Sequence, residues 1–160
     1  MNKAFIFDFD DCLATTDCKV WVHRKYGHKK LYSLTAEDYN SHRLSTDEFY
    51  DYSEFIRLIN PQKTFIMALA LEVYQEGHPV YILTARGSAA QEAIDYFMQL
   101  NGIVCKEIIC VGDSGDQIEQ EKRRAFMTIM DNYDKLYFYD DFQGNIDAIP
   151  HSKKVRKYLV

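Results

Sequence analysis

The sequence predicts an α/β protein in which a parallel sheet is flanked by helices. The main observation is that four short apolar runs, each long enough for one strand, alternate with longer segments of helical character. A second observation is that polar residues follow these runs directly, as at the carboxyl ends of buried strands. Alternating strands and helices favour parallel strands joined by right-handed crossovers, so the strand ends meet at one edge of the sheet. The predicted arrangement is Rossmann-like.

The first strand is predicted over residues 4–9, which begin with a continuous apolar run. A helix is then expected near Thr16 or Asp17, either of which can cap its amino end. Two further helix starts, Thr35-Ala36-Glu37-Asp38 and Ser45-Thr46-Asp47-Glu48, combine a hydroxyl cap with early acidic residues. We therefore expect residues 16–60 to form a small, mostly helical insert, or cap, over the functional edge of the sheet.

After this insert, turn residues mark where the elements end. Pro61 suits a first helical turn, and Glu76-Gly77-His78-Pro79 and Asn101-Gly102 are helix stops. The predicted elements are a helix after Pro61 to Gly77, a strand over 80–83, a helix over 88–100, a strand over 108–111, a helix over 117–130, a strand over 136–139 and an edge strand over 155–159.

The composition indicates one folded domain over residues 1–160. Hydrophobic residues make up 47% and charged residues 27%, with three prolines, which excludes disordered and collagen-like classes. No apolar stretch is long enough to span a bilayer, and Met1-Asn2-Lys3 leads into the first strand without a signal peptide. We expect a cytoplasmic protein that has no membrane partner. The four cysteines lack zinc-like spacing and are expected to be reduced: Cys12, Cys18, Cys105 and Cys110.

The net charge of -5 argues against broad nonspecific binding of nucleic acids, which requires surface cations. One stretch is nevertheless basic and contains interleaved aromatic side chains. A solvated helix face and a surface that contacts phosphates both explain this pattern, and the alternatives stay open. The residues concerned are Lys19, Trp21, His23, Arg24, Lys25, His28, Lys29 and Lys30.

Three carboxylates, Asp8, Asp10 and Asp11, follow the first strand. Clustered carboxylates repel one another unless a cation neutralises them, and Mg2+ prefers oxygen ligands of this kind. A solvated acidic turn is the alternative for the cluster taken alone. Polar residues at the ends of the later strands, described next, support a cation at this edge. The sequence therefore predicts a Mg2+ site there.

Polar groups also follow the later apolar runs. Thr84-Ala85-Arg86 comes after the second run, and Asp140-Asp141 comes after the fourth, with Asn145 four residues beyond Asp141. Lys122 lies in the helix before the fourth strand. In this order the motifs resemble those of the haloacid dehalogenase (HAD) superfamily: DxDxT, a strand-terminal Thr or Ser, a Lys, and an acidic pair such as DDxxxN. The resemblance spans residues 4–145. It is nearest to small-cap members, namely polynucleotide kinase phosphatase domains and small phage or bacterial phosphatases.

The resemblance implies a HAD-like fold and a phosphatase that forms an aspartyl-phosphate intermediate. Asp8 would be the nucleophile and Asp10 the general acid and base. Mg2+ would be held by Asp8, the main-chain carbonyl of Asp10 and Asp141. The other implied roles are orientation of the metal shell by Asp140 and Asn145, phosphate binding by Thr84 and Lys122, and support by the neighbouring Ala85 and Arg86. The expected substrate is a phosphorylated small molecule or nucleic-acid end, and the resemblance favours nucleotide or nucleic-acid 3'-phosphates.

Several assignments have competitors. Cys12 stands where the family most often has Thr; a small buried residue and a redox-active thiol are the two explanations. Asp113 in Val111-Gly112-Asp113-Ser114 is a second candidate for the acidic motif, and Arg123 or Arg124 is an alternative to Lys122. At the level of function, a receiver-like phosphate acceptor and a noncatalytic Mg2+-binding domain are the alternatives to an enzyme.

Overall fold

The computed structural model of the protein describes residues 1–27, 29–115 and 117–160. The strands in chain order are β1 (Lys3–Phe7), β2 (Ala14–Thr15), β3 (Val20–Arg24), β4 (Lys30–Leu34), β5 (Glu48–Asp51), β6 (Gln62–Lys63), β7 (Val80–Thr84), β8 (Glu107–Cys110), β9 (Lys135–Asp140) and β10 (Val155–Leu159). The α-helices are α1 (Ala36–Ser41), α2 (Phe65–Gln75), α3 (Gln91–Leu100), α4 (Ile118–Met130) and α5 (Gln143–Ala148). Short 3-10 helices cover Ser53–Ile56, Ser88–Ala90 and Gly112–Ser114.

Five strands form a parallel sheet in the order β10-β9-β1-β7-β8. Alternate residues of β1 point to opposite faces: Phe5 and Phe7 pack with α2 and α3, whereas Ala4 and Ile6 belong to the core formed with α4 and α5. Both faces of the central strand are therefore buried, as its apolar run predicted. The α/β prediction is confirmed at the level of a parallel sheet flanked by helices, which is compatible with a Rossmann-like class.

The order of the strands reverses at β1. After β1 the chain adds β7 and β8 on one side and then returns to add β9 and β10 on the other side. In open α/β sheets, ligand sites lie outside the carboxyl ends of the strands where the order reverses. Asp8 follows the end of β1, and the Asp140-Asp141 pair lies at the end of β9. The topology therefore indicates a ligand site at the same edge of the sheet as the sequence does.

The prediction of a mostly helical insert over residues 16–60 was wrong. The described residues of this segment form a three-stranded antiparallel sheet in the order β4-β3-β5, the α-helix α1 and the short 3-10 helix Ser53–Ile56. Val20 and Val22 alternate with less buried neighbours and pack on Leu34, which is the two-residue period of a strand. No helix begins at Thr16 or Asp17, because the chain continues from there into β3.

The two cap signals in the insert had different outcomes. At Thr35 the prediction is confirmed, since Thr35 and Asp38 form a reciprocal capping box at the start of α1. At Ser45 it was wrong: the Ser45 amide donates to Glu48 Oε2 and the Glu48 amide donates to the Ser45 carbonyl, which closes a turn before β5. The same kind of side-chain capping therefore begins a helix at Thr35 and closes a turn at Ser45.

The ends of the insert lie side by side. Strands β2 and β6 pair in antiparallel fashion, and the Asp17 amide donates to the Ile59 carbonyl at 2.8 Å. Asn60 Nδ2 donates to Asp17 Oδ2 at 3.0 Å. The insert thus leaves and rejoins the main domain at one place, close to the carboxyl end of β1.

The remaining predicted elements are confirmed within a few residues, including the edge strand β10. The helix expected to follow Pro61 begins at Phe65, because the Thr64 hydroxyl accepts from the Ile66 amide and caps it there. Helix α5 was not predicted, and its N-cap residue Phe142 makes no side-chain cap. In the part of the chain that the structure describes, no helix is long and apolar enough to cross a membrane.

Candidate functional site

The site is built at the carboxyl edge of the parallel sheet. Phe7 lies opposite both Ile82 and Tyr139 in the strand register, so β1, β7 and β9 end at similar levels. Asp8 is the first residue after β1, and its amide donates to the Tyr139 carbonyl at 2.9 Å. Thr84 ends β7 and Asp140 ends β9. The structure therefore brings the strand-end residues of three predicted motifs together.

Lys122 joins two of these strand ends. Its side chain is 1% exposed, and Nζ donates to Asp8 Oδ1 at 2.9 Å and to Asp140 Oδ2 at 2.8 Å. Burial by itself would lower the pKa of Lys122, but the two carboxylates outweigh burial and raise it above the ordinary value. Lys122 is therefore a fixed cation between Asp8 and Asp140.

The alternatives to Lys122 point elsewhere. Arg123 and Arg124 are exposed; Arg123 donates to the Ala148 carbonyl, and Arg124 pairs with Glu121. The sequence contained a signal that Lys122 points inward. Lys122 precedes the buried Phe126 by four residues and thus shares the inward face of α4.

Asp140 is held by its neighbours as well as by Lys122. Its Oδ1 accepts from the Phe142 amide at 2.9 Å, and Asn145 Nδ2 lies 3.1 and 3.0 Å from the two carboxylate oxygens. Asn145 Oδ1 is buried without a hydrogen-bond partner among the described residues. Asn145 therefore acts directly on Asp140, and orientation of a metal shell by these two residues stays a prediction.

Asp8, Asp140 and Asp141 form a carboxylate group in which one oxygen of each lies within 4.8 Å of the others. Burial raises the pKa of Asp8 well above its ordinary value; Lys122 opposes the rise, and Asp140 and Asp141 add to it. The pKa of Asp141 is also raised, first by partial desolvation of its carboxyl and also by Asp140. The Asp8 and Asp141 carboxyl groups are therefore close neighbours that affect each other's protonation.

This donor set fits a hard divalent cation, because its potential ligand atoms are carboxylate oxygens that lie close together. Asp8 and Asp141 are the residues best able to hold the ion, since Asp140 is already bonded to Lys122, Asn145 and the Phe142 amide. The side chain of Asp10 is not part of the group, and its predicted main-chain contact with the metal stays a prediction.

The Asp10 carboxylate instead pairs with Arg86. Arg86 Nε lies 2.8 Å from Asp10 Oδ2 and Nη2 lies 2.7 Å from Oδ1, which is a two-point ion pair. Arg86 Nη1 also donates to the main-chain carbonyls of Phe55 and Arg57 in the insert. The sequence predicted only a supporting role for Arg86. The spacing of Asp8 and Asp10 in the sequence gave no sign that a separate cation would pair with Asp10.

The loop after β7 is fixed from two sides. The Thr84 hydroxyl is buried and accepts from the Arg86 amide at 3.1 Å, so it shapes the turn that carries Arg86. The Gly112 amide donates to the Arg86 carbonyl at 3.0 Å. Ala85 is exposed beside this turn. Asp113, the competing acid, accepts from the Ser88 amide at 3.0 Å and lies outside the carboxylate group.

Cys12 behaves as a small buried side chain. It is 1% exposed, and its Sγ lies 3.6 Å from the Tyr139 carbonyl. Burial, followed by the charge of Asp8, raises the pKa of the thiol far above its ordinary value. This setting favours the packing explanation over a reactive thiolate. All four cysteines are free thiols.

Most of the basic stretch lies on β3, β4 and the turn between them, not on a helix. His28 is outside the described residues. Lys30 Nζ lies 4.6 Å from the centre of the Trp21 ring, and Trp21 Nε1 donates to Glu54 Oε2 at 2.8 Å. His23 lies 2.9 Å from Asp51. Arg24, Lys25 and Lys29 are exposed. The helix-face explanation is therefore wrong, and phosphate contact by these cations stays a prediction.

No protein-family model matches the chain, and comparison with curated proteins gives no match. The assignment of chemistry consequently depends on the residues of the site itself.

Proposed function

We propose that this protein is a Mg2+-dependent phosphatase that hydrolyses phosphoric monoesters through an aspartyl-phosphate intermediate, as members of the HAD superfamily do. The observation that carries the proposal is the pairing of two aspartates two residues apart with different cations. Asp8 contacts Lys122 and the acidic group, whereas Asp10 contacts Arg86. Two carboxylates in separate environments are suited to separate roles in one reaction.

Asp8 is the nucleophile in this mechanism. Its carboxylate attacks phosphorus, and the bond to the ester oxygen breaks as the aspartyl phosphate forms. Lys122 holds one oxygen of Asp8 at 2.9 Å, so the carboxylate has a fixed direction of attack. The ammonium group also balances negative charge on the phosphoryl oxygens, together with the Thr84 hydroxyl.

Asp10 transfers protons. In its protonated form it gives a proton to the leaving oxygen in the first step, and the carboxylate that results removes a proton from the water that attacks the aspartyl phosphate in the second. Its side chain is 32% exposed, unlike that of Asp8, so water and a leaving group have access to it. Bound Mg2+ supplies charge that offsets the repulsion between the phosphate and the acidic side chains. Asp8 and Asp141 would hold that ion.

The substrate class that we favour is a nucleotide or nucleic-acid 3'-phosphate. The motif resemblance to polynucleotide kinase phosphatase domains supports this class, and so do the exposed cations Arg24, Lys25 and Lys29 on the insert. A phosphorylated small molecule is the broader class within which this proposal falls.

The test is Mg2+-dependent release of phosphate from a panel of esters. The panel contains an aryl phosphate, nucleoside 3'- and 5'-monophosphates, and oligonucleotides phosphorylated at either end. Asp8→Asn is nearly isosteric and should abolish release while the protein stays folded. Asp131→Asn, an exposed substitution at the end of α4, is the matched control and should leave release unchanged.

The outcomes separate the candidate functions. Release that requires both Mg2+ and Asp8 supports the phosphatase, and the best member of the panel identifies the substrate class. A stable phosphorylated Asp8 without turnover would indicate a receiver-like domain. Mg2+ binding with no release and no phosphorylated protein from any ester would indicate a noncatalytic domain. The position of Asp8 after the first strand supports the phosphatase over the receiver-like alternative, in which the acceptor lies on a later strand.

A further inference from the structure

The Arg86 guanidinium uses its donors on two separate parts of the chain. Toward the proposed acid-base residue, Nε and Nη2 bond both oxygens of Asp10 at 2.8 and 2.7 Å. Toward the insert, Nη1 donates to the carbonyls of Phe55 at 2.9 Å and Arg57 at 2.8 Å. Nη2 also lies 3.4 Å from the Thr16 hydroxyl. A planar group with five N–H donors is well suited to such a junction, whereas a lysine ammonium is not.

The position of Arg86 itself is strongly determined. The residue is 3% exposed, and its guanidinium carbon lies 4.9 Å from the centre of the Phe55 ring. Its main chain is bonded at both ends of the residue, to the Thr84 hydroxyl and to the Gly112 amide. Because the Arg86 side chain is held in one position, the directions of its N–H donors are fixed. The Asp10 carboxyl group and the insert carbonyls that accept from it are therefore fixed as well.

Asp10 depends on this support more than Asp8 and Asp140 do. Its side chain is 32% exposed, whereas those of Asp8 and Asp140 are 7% and 0% exposed and both contact Lys122. Surrounding packing therefore restrains Asp10 less than it restrains Asp8 and Asp140. Bonding of both its oxygens to one guanidinium fixes the plane of the carboxyl group and leaves each oxygen a further lone pair that can hold the transferred proton.

We propose that Arg86 is a positioning residue that orients Asp10 for proton transfer, and that it does so by joining Asp10 to the Phe55 and Arg57 carbonyls of the insert. This inference rests on the proposed function. The insert then contributes to proton transfer through two main-chain oxygens, without a catalytic side chain of its own. Docking of residues 53–57 and orientation of Asp10 become one coupled arrangement, so each stabilises the other.

The first experiment measures how the loss of Arg86 depends on the leaving group. An aryl oxygen leaves readily without a proton, whereas an alkyl oxygen requires one, and general acid catalysis typically contributes about 100- to 10,000-fold. We therefore expect Arg86→Ala to reduce kcat for an alkyl phosphate at least about tenfold more than kcat for a nitrophenyl phosphate. Arg86→Lys keeps the charge but loses the planar donors, and should show the same pattern. Arg156→Gln, at the exposed edge strand, is the matched control.

Chemical rescue separates positioning from general damage. Added guanidinium should restore turnover of the alkyl ester by Arg86→Ala, because it fits the space left and can bond both Asp10 oxygens, whereas methylammonium should not. Equal losses on the two esters, or no selective rescue, would refute the positioning role while the phosphatase function stands. If the native chain hydrolyses no ester, the proposed function fails and the role of Arg86 fails with it.

Amide hydrogen exchange tests the coupling independently of activity. The Phe55 and Arg57 amides bond to the Tyr52 and Glu54 carbonyls, so their exchange reports the docking of this segment. Both Arg86→Ala and Asp10→Ala should accelerate exchange at these two amides by about tenfold or more, with Arg156→Gln unchanged. If Asp10→Ala leaves these amides as slow as in the native chain, Asp10 and the insert are not coupled and the proposal is overturned.

Discussion

Replacing Lys122 by methionine should destabilise the protein far more than removal of an exposed ion pair of the same length. The substitution keeps most of the side-chain volume but removes a buried cation that lies 2.9 Å from Asp8 and 2.8 Å from Asp140. Both carboxylates stay buried after the change, and neither acquires a new cation. The loss therefore includes the cost of leaving acidic groups unpaired in the interior.

The expected magnitude follows from burial. Removing one partner of a buried ion pair typically costs about 3–5 kcal/mol, and Lys122 is 1% exposed with two such partners. The Arg124–Glu121 pair has the same 2.8 Å separation, but Arg124 is 75% exposed. An exposed pair contributes only about 0–1 kcal/mol, so Arg124→Gln is the control for distance without burial. The deficit of Lys122→Met should shrink as the pH falls, because a protonated Asp8 needs no cation.

The assay is urea unfolding near pH 7 in the absence of divalent cations, with the free energy of unfolding compared at constant m. A double-mutant cycle with Asp8→Asn should give a coupling of about 1.5–3 kcal/mol, the usual range for hydrogen bonds to charged groups. A loss no larger than that of Arg124→Gln, or an additive cycle, would contradict the reasoning. Lys122 would then not be the cation that compensates Asp8.

Three further outcomes are expected. Because burial raises the pKa of Asp8, its contribution to stability is present below the ordinary value of 3.8 and is lost as the pH rises through the folded-state pKa. The metal-free Tm should show that loss, Mg2+ should reverse it, and Asp8→Asn should remove both effects. A Cβ on Gly112 would overlap the Ala85 carbonyl oxygen and the Arg86 main chain, so Gly112→Ala should lower stability by about 1–3 kcal/mol and reduce turnover, measured by melting and phosphate release. Cys12 should resist thiol reagents in the folded protein, and Cys12→Val should keep stability within about 1.5 kcal/mol.

The main sheet could be predicted because its strands are continuous apolar runs with clear stops. Residues 80–83 are buried on both faces, and Gly77 just before them has a positive φ of 88° that suits glycine at a helix end. The insert could not be predicted in the same way. Its strands bury one face only, around Val20 and Val22, and the capping residues at Thr35 and Ser45 carry the same local signal for a helix and for a turn.

The candidate site divides along a similar line. Asp8, Thr84 and Asp140 were predictable because each follows or ends a buried strand, and parallel strands bring such positions together. The contact between Asp10 and Arg86 was not, because it joins residues 76 positions apart through side chains that lie beyond the regular strands. The part played by Phe55 and Arg57 has no side-chain signal at all, since Arg86 bonds their carbonyl oxygens.

The charge balance at the sheet edge explains why a divalent cation is expected there. Apart from the exposed Asp11, the carboxyl groups at this edge are the four of Asp8, Asp10, Asp140 and Asp141, and they are accompanied by two fixed cations, Lys122 and Arg86. When all four are ionised, two negative charges are left uncompensated, and both lie with the Asp8 and Asp141 side of the site because Arg86 is matched to Asp10 alone. Burial first, and the neighbouring carboxylates in addition, raise the pKa values of Asp8 and Asp141. One Mg2+ ion would remove the excess where it is concentrated, allow Asp8 to ionise for attack, and leave Asp10 under the separate control of Arg86 and the insert.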